Sequence, residues 1–158
     1  MESFPPTAAF EEAVGRARKL LARHGLLCPT RPEELEAWLQ TDTPYPNPSP
    51  DELLRNPFLV IHELIEIAAV KRMGLHITKD VIVRNLERIN DAHLEAARTE
   101  VDIAVRERAL GHLESRLEDL RAWCEDPLLT PGQKAAYEGF RRKVETILAS
   151  MRTGNGQV

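Results

Sequence analysis

Apolar residues recur at alternating spacings of three and four through the middle of the chain, a pattern typical of an amphipathic helix that packs against other helices. The main stripe consists of Ile82, Leu86, Ile89, His93, Ala96, Glu100, Ile103, Glu107 and Leu110. A second stripe flanks it at Leu94, Ala97, Val101 and Ala104. Past Gly111 the pattern resumes one step out of phase, so we expect a shift or bend near that glycine. Residues typical of strands form only the short run 81–83.

Capping residues, prolines and glycines divide the chain into helices. The box Thr-Arg-Pro-Glu at 30–33 predicts a helix start in which the Thr30 hydroxyl accepts a hydrogen bond from a backbone N–H. Gly25 and Gly74 are expected stops. The predicted helices cover residues 8–24, the box at 30–33 to about 40, a short segment from 49, 57–73, 78–124 and 131–151. The long segment is expected to break near Asn90-Asp91 or Gly111.

These elements predict an all-α fold, an antiparallel helical bundle of about five to six helices built around a long central helix. With 158 residues, 42% of them hydrophobic, the chain is long and apolar enough for a single helical domain over residues 1–158. Its expected parts are N-terminal helices with a Pro-rich connector (1–48), a core helical hairpin (49–126), a C-terminal helix (127–152) and a frayed tail (153–158). No apolar run approaches the roughly 20 residues of a membrane span, so we expect no membrane partner.

The Pro-rich loop 41–50 is the exception to the helical pattern. Pro44, Pro46 and Pro48 alternate with other residues around Tyr45, so this loop is expected to be extended and polyproline-like. One interpretation is a rigid connector that lays Tyr45 over the bundle. The other is a docking strand for a partner or a lid over a site.

Charge and cysteine usage narrow the class of protein. The 21 Lys and Arg residues are outnumbered by 25 Asp and Glu residues and are interleaved with them, which argues against nucleic-acid binding. Cys28 and Cys124 lie far apart, so the sequence has no zinc-finger spacing and no disulfide framework. The N-terminus lacks the features of a signal peptide. We therefore expect a cytoplasmic protein with reduced thiols.

Polar residues on apolar helix faces are the candidate chemistry. A carboxylate such as Glu100 in an apolar stripe needs a partner, and His93 lies on the same stripe. On the preceding helix His62 and Glu66 are four residues apart, which lets both side chains converge on one ion. The string is HExxE, an HExxH spacing in which a carboxylate replaces the second imidazole, so a protease function does not follow from it.

The sequence thus predicts a divalent metal, Zn, Fe or Mn, bound by His62, Glu66 and His93 between two core helices. Glu63, which would polarise a bound water, and Glu100 are the catalytic candidates. Because Glu100 lies about 10.5 Å along the helix axis from His93, it is expected to be an outer group or a bridge to a second ion.

The same residues admit a second hypothesis without a metal. Each histidine is also typical of a hydrogen-bonded core residue. The sustained main stripe, together with a second stripe that one neighbouring helix would not cover, then predicts a non-enzymatic, homo-oligomerising interaction module. A homo-oligomer formed by helix packing is expected in either case.

Overall fold

The computed structural model describes residues 3–154, and every regular element in that range is a helix. The helices are α1 Thr7–Arg23, α2 Pro32–Trp38, α3 Pro50–Arg55, α4 Pro57–Arg72, α5 Val81–Arg84, α6 Leu86–Arg106, α7 Leu110–Cys124 and α8 Pro131–Gly154. The all-helical prediction is confirmed, although these eight helices exceed the five to six expected. Over the described range no helix combines the length and the apolar character needed to cross a membrane.

The helix count is higher because the segment 78–124 consists of three helices. The expected break near Asn90-Asp91 is wrong, since both residues lie inside α6. The break expected near Gly111 occurs a few residues earlier, where Arg108 has a φ of 56°. There the Ala109 N–H donates to Ala104 O (2.9 Å) and the Arg108 N–H to Val105 O (3.0 Å), the two bonds of a Schellman motif. An arginine occupies the left-handed position that glycine usually takes.

Capping residues set the other boundaries largely as predicted. Gly25 (φ 72°) and Gly74 (φ 84°) follow α1 and α4 in the left-handed conformation that glycine tolerates. The Ser49 hydroxyl accepts from the Glu52 N–H (3.2 Å) at the start of α3. Helix α8 begins where the Thr130 hydroxyl accepts from the Gln133 N–H (3.1 Å). It extends beyond the expected end to Gly154, and residues 155–158 of the predicted tail lie outside the described residues.

The predicted role of Thr30 in capping is wrong. Arg31 is the N-cap of α2, and its N–H donates to the Glu34 carboxylate at 3.0 Å. The Thr30 hydroxyl instead donates to Leu64 O of α4 at 2.8 Å. Thr30 therefore ties the start of α2 to the side of α4.

The chain divides into two compact units, one ending at Glu100 and the other beginning at Val101. In the first unit α4 packs against α1, α2 and α3, and nine of its 16 residues are buried. Such burial on several faces is typical of a helix at the centre of its unit. In the second unit α7 packs against α8, and the shifted stripe beginning at Leu113 is buried. The single-domain organisation stays a prediction.

The second stripe of α6 bears on self-association. Its members Leu94, Ala97, Val101 and Ala104 are all buried in the single chain. A partner is therefore not needed to cover them, so the second of the two observations that motivated the homo-oligomer no longer supports it. Homo-oligomerisation stays a prediction.

The Pro-rich loop runs between α2 and α3. The Tyr45 hydroxyl lies 3.3 Å from Asn90 Nδ2 and 3.5 Å from Asn90 Oδ1, so the ring reaches α6. The Asp42 N–H donates to Lys79 O (2.8 Å) at the beginning of the loop. Either interpretation of the loop allows this placement, so the connector and the docking strand or lid both stay predictions.

Candidate metal centre

Two helices of the first unit supply the polar cluster, which consists of His62, Glu66, His93 and Glu100. His62 and Glu66 lie one turn apart on α4 and are 2% and 5% exposed. His93 and Glu100 lie two turns apart on α6, and Glu100 is fully buried at 0% exposure. His62 contacts Glu100, whereas the later residue Glu66 contacts the earlier residue His93, an order that fits antiparallel helices.

His62 is at the centre of the cluster. Its Nδ1 lies 2.9 Å from Glu100 Oε1. Its Nε2 lies 3.1 Å from His93 Nδ1 and 3.2 Å from Glu66 Oε2. The third side of that triangle, His93 Nδ1 to Glu66 Oε2, is 3.6 Å. The predicted ligands His62, Glu66 and His93 thus each present one atom to a common point, and this group can hold a metal ion.

The size of the triangle can be compared with a coordination sphere. A tetrahedral ion with bonds of about 2.0–2.1 Å holds its ligand atoms about 3.3 Å apart. The three sides of 3.1, 3.2 and 3.6 Å average close to this value. A point equidistant from the three atoms lies about 2 Å from each, which is a metal–ligand bond length. The spacing therefore fits a first coordination shell without movement of the helices.

The contact between Glu66 and His62 needs a proton or a cation between the two atoms. A carboxylate oxygen can only accept, so the 3.2 Å contact between Glu66 Oε2 and His62 Nε2 is favourable when Nε2 carries a proton or when a cation lies between them. Burial raises the pKa of Glu66, but hydrogen bonds from His62 and His93 outweigh burial and lower it from 4.5 to about 2. Glu66 is thus ionised near neutral pH, as a metal ligand must be.

Solvent reaches the cluster at one member. The His93 side chain is 24% exposed, whereas the side chains of His62, Glu66 and Glu100 are at most 6% exposed. The His93 ring meets the His62 ring edge-on, with centroids 4.7 Å apart. An ion or small ligand would therefore approach from the His93 side.

Glu63 is the predicted site residue that the structure places elsewhere. Its Oε2 accepts a hydrogen bond of 2.7 Å from the Trp38 indole N–H of α2. Because Glu63 follows His62 directly, it lies about 100° around the helix from it. The structure brings together the other four predicted site residues, and the catalytic roles of Glu63 and Glu100 stay predictions.

Two polar links beside the cluster were not anticipated from the sequence. Trp38 holds Glu63 on the neighbouring face of α4, and Asn90, which binds Tyr45, lies one turn before His93 and is buried. A polar Asn90 beside the apolar stripe was a signal in the sequence, because a buried amide needs a partner. The identity of that partner depends on the path of the Pro-rich loop.

Comparisons with known proteins give no relative from which a role could be transferred. Neither a protein-family model, nor a curated protein, nor a solved structure matches the chain. The chemistry of the cluster therefore follows from the residues that form it.

Proposed function

We propose that this protein binds one divalent transition-metal ion, with zinc as the preferred ion, through His62 Nε2, Glu66 Oε2 and His93 Nδ1. The observation that carries the proposal is the triangle formed by these atoms, with sides of 3.1, 3.2 and 3.6 Å. Three protein ligands leave a fourth position open for water or a small ligand.

The donor set and its spacing support zinc first. Two imidazole nitrogens disfavour magnesium and calcium, which prefer oxygen ligands throughout. An octahedral ion with bonds of about 2.1 Å places adjacent ligand atoms about 3.0 Å apart, which is shorter than all three sides of the triangle. The same two-histidine, one-carboxylate set also suits iron(II), so iron and manganese are the competitors in the test below.

The open position indicates the type of chemistry. A zinc ion with three protein ligands lowers the pKa of its bound water to about 7 and thereby supplies a nucleophile for hydrolysis. The acid–base role predicted for Glu63 requires its carboxylate to leave the Trp38 indole, and it stays a prediction. The ion would also join α4 to α6 and stabilise the first unit.

The proposal is tested by metal analysis of the chain purified without added metal, followed by titration with zinc, iron(II) and manganese. Zinc at about 100 times its Kd should raise the free energy of unfolding by about 2.7 kcal/mol. That corresponds to a rise of roughly 5–10 °C in melting temperature. His62→Ala and His93→Ala should abolish this rise, whereas His76→Ala, a change at an exposed histidine, should leave it intact. No bound metal and no response to chelator would refute the proposal.

A further inference from the structure

Glu100 is the most deeply buried carboxyl group of the cluster, yet it is not at the metal position. Its residue exposure is 0%, and its Oε1 lies 2.9 Å from His62 Nδ1. Burying a carboxylate in this way is costly unless the site uses its charge or its hydrogen bond. The contact with His62 indicates that the site uses the hydrogen bond between Glu100 and His62.

The two nitrogens of His62 face in different directions. With a proton on Nδ1, the ring donates to Glu100 Oε1, and Nε2 keeps a lone pair. Without metal, the hydrogen bond to Glu66 uses a proton at Nε2. A metal ion would take the place of that proton, and the Nε2 lone pair would then ligate the ion beside Glu66 Oε2 and His93 Nδ1, the other two corners of the triangle. The Glu100 contact thus selects the tautomer that can bind a metal.

We propose that Glu100 is the positioning residue of this metal centre, holding the His62 ring and its tautomer through Nδ1. The inference rests on the proposed metal-binding function.

This role corresponds to the outer group expected from the sequence and differs from the other two expected roles, acid–base catalysis and a bridge to a second ion. As an acid–base group, Glu100 would have to reach the open position of the metal, but the His62 ring stands between its carboxylate and the other ligand atoms. As a bridge to a second ion, it would need further ligands beside it. A carboxylate that accepts from a metal-bound histidine acts on the ion through that histidine, raising its basicity and fixing its orientation.

Two substitutions separate charge from orientation. Glu100→Gln keeps an acceptor for His62 Nδ1 but removes the charge, and Glu100→Met removes both. Zinc affinity, measured by competition with a chromophoric chelator, should weaken about 10-fold for Glu100→Gln and about 100-fold for Glu100→Met. Glu95→Gln is the matched control, because it removes one charge from an exposed position of the same helix, and its affinity should stay within about twofold.

Nitrogen-15 NMR of the histidine rings reads the tautomer directly. In the wild-type chain His62 should carry a proton on Nδ1, both without metal and with zinc bound at Nε2. Glu100→Gln should keep this tautomer and Glu100→Met should lose it, a change that a merely structural role of Glu100 would not produce. A His62 ring protonated only at Nε2, or coordinated through Nδ1, would overturn the proposal.

The outcomes separate this inference from the proposed function. If the wild-type chain binds zinc and Glu100→Met binds it equally well, the positioning role fails while the metal site stands. If the wild-type chain binds no zinc, the metal site fails, and the positioning role fails with it. If the variants do not fold, the wild-type spectra still decide, because the role requires the Nδ1 proton in both states.

Discussion

The hydrogen bond between His62 and Glu100 gives a stability prediction that can be measured without metal. His62→Leu removes one hydrogen-bond partner of the fully buried Glu100 carboxyl group and should lower the free energy of unfolding by about 3–5 kcal/mol. Glu100→Met removes the Glu100 acceptor of the His62 Nδ1–H and should cost about 1–3 kcal/mol. The double variant removes both polar groups, so its loss should be smaller than the sum by about 2 kcal/mol.

The assay is urea unfolding of the wild-type chain, the two single variants and the double variant in the presence of a chelator. Circular dichroism monitors the loss of helix. For His62→Leu the loss corresponds to a fall of roughly 6–20 °C in melting temperature. A second double-mutant cycle with His62→Leu and Glu95→Met serves as the control, because Glu95 is half-exposed. The two losses in free energy of unfolding should add in this cycle to within about 0.5 kcal/mol. Additivity of the His62 and Glu100 changes would refute the reasoning that these groups form a buried pair.

Three further predictions concern the rest of the fold. Arg108→Gly relieves a left-handed residue after the end of α6 and should raise the free energy of unfolding by about 1 kcal/mol. Arg98→Gly, at an exposed position in the interior of α6, should lower it by about 1 kcal/mol, and urea unfolding measures both changes. Gly74→Ala places a Cβ at a φ of 84° and should lower the melting temperature by a few degrees in a calorimetric scan. Burial raises the pKa of Glu34, but hydrogen bonds from Lys71 and the Arg31 N–H outweigh burial and hold it below 4.5. Ionised Glu34 therefore stabilises the fold above pH 4.5, and this contribution is lost as the pH falls through the lowered pKa. When the free energy of unfolding is measured against pH, Glu34→Gln should show a smaller decrease than the wild-type chain over that acid range.

The helix boundaries were predictable wherever one residue type carries the signal. Gly25 and Gly74 ended α1 and α4 as expected, because the left-handed turn after a helix favours glycine. The end of α6 was misplaced, because Arg108 adopts that conformation without being a glycine. Thr30 was misassigned, because its hydroxyl has two available partners and tertiary packing offered the Leu64 carbonyl. The residues next to Thr30 in the chain do not show which of the two partners its hydroxyl will bind.

The candidate site was predictable within each helix and not between helices. A spacing of four residues placed His62 and Glu66 on one face of α4, and the apolar stripe of α6 marked Glu100 as a buried charge. Which nitrogen of His62 meets Glu100 depends on how α4 and α6 are aligned along each other. For the same reason, the sequence could not show that Trp38 holds Glu63 on another face of α4.

X-ray absorption at the zinc edge of the zinc-loaded chain tests the central claim most directly. We expect one zinc per chain, with nitrogen and oxygen ligands at about 2.0–2.1 Å and the scattering of two imidazole rings, from His62 and His93. A sulfur shell at about 2.3 Å, which would place the ion on Cys28 or Cys124, or a chain that retains no zinc, would contradict it.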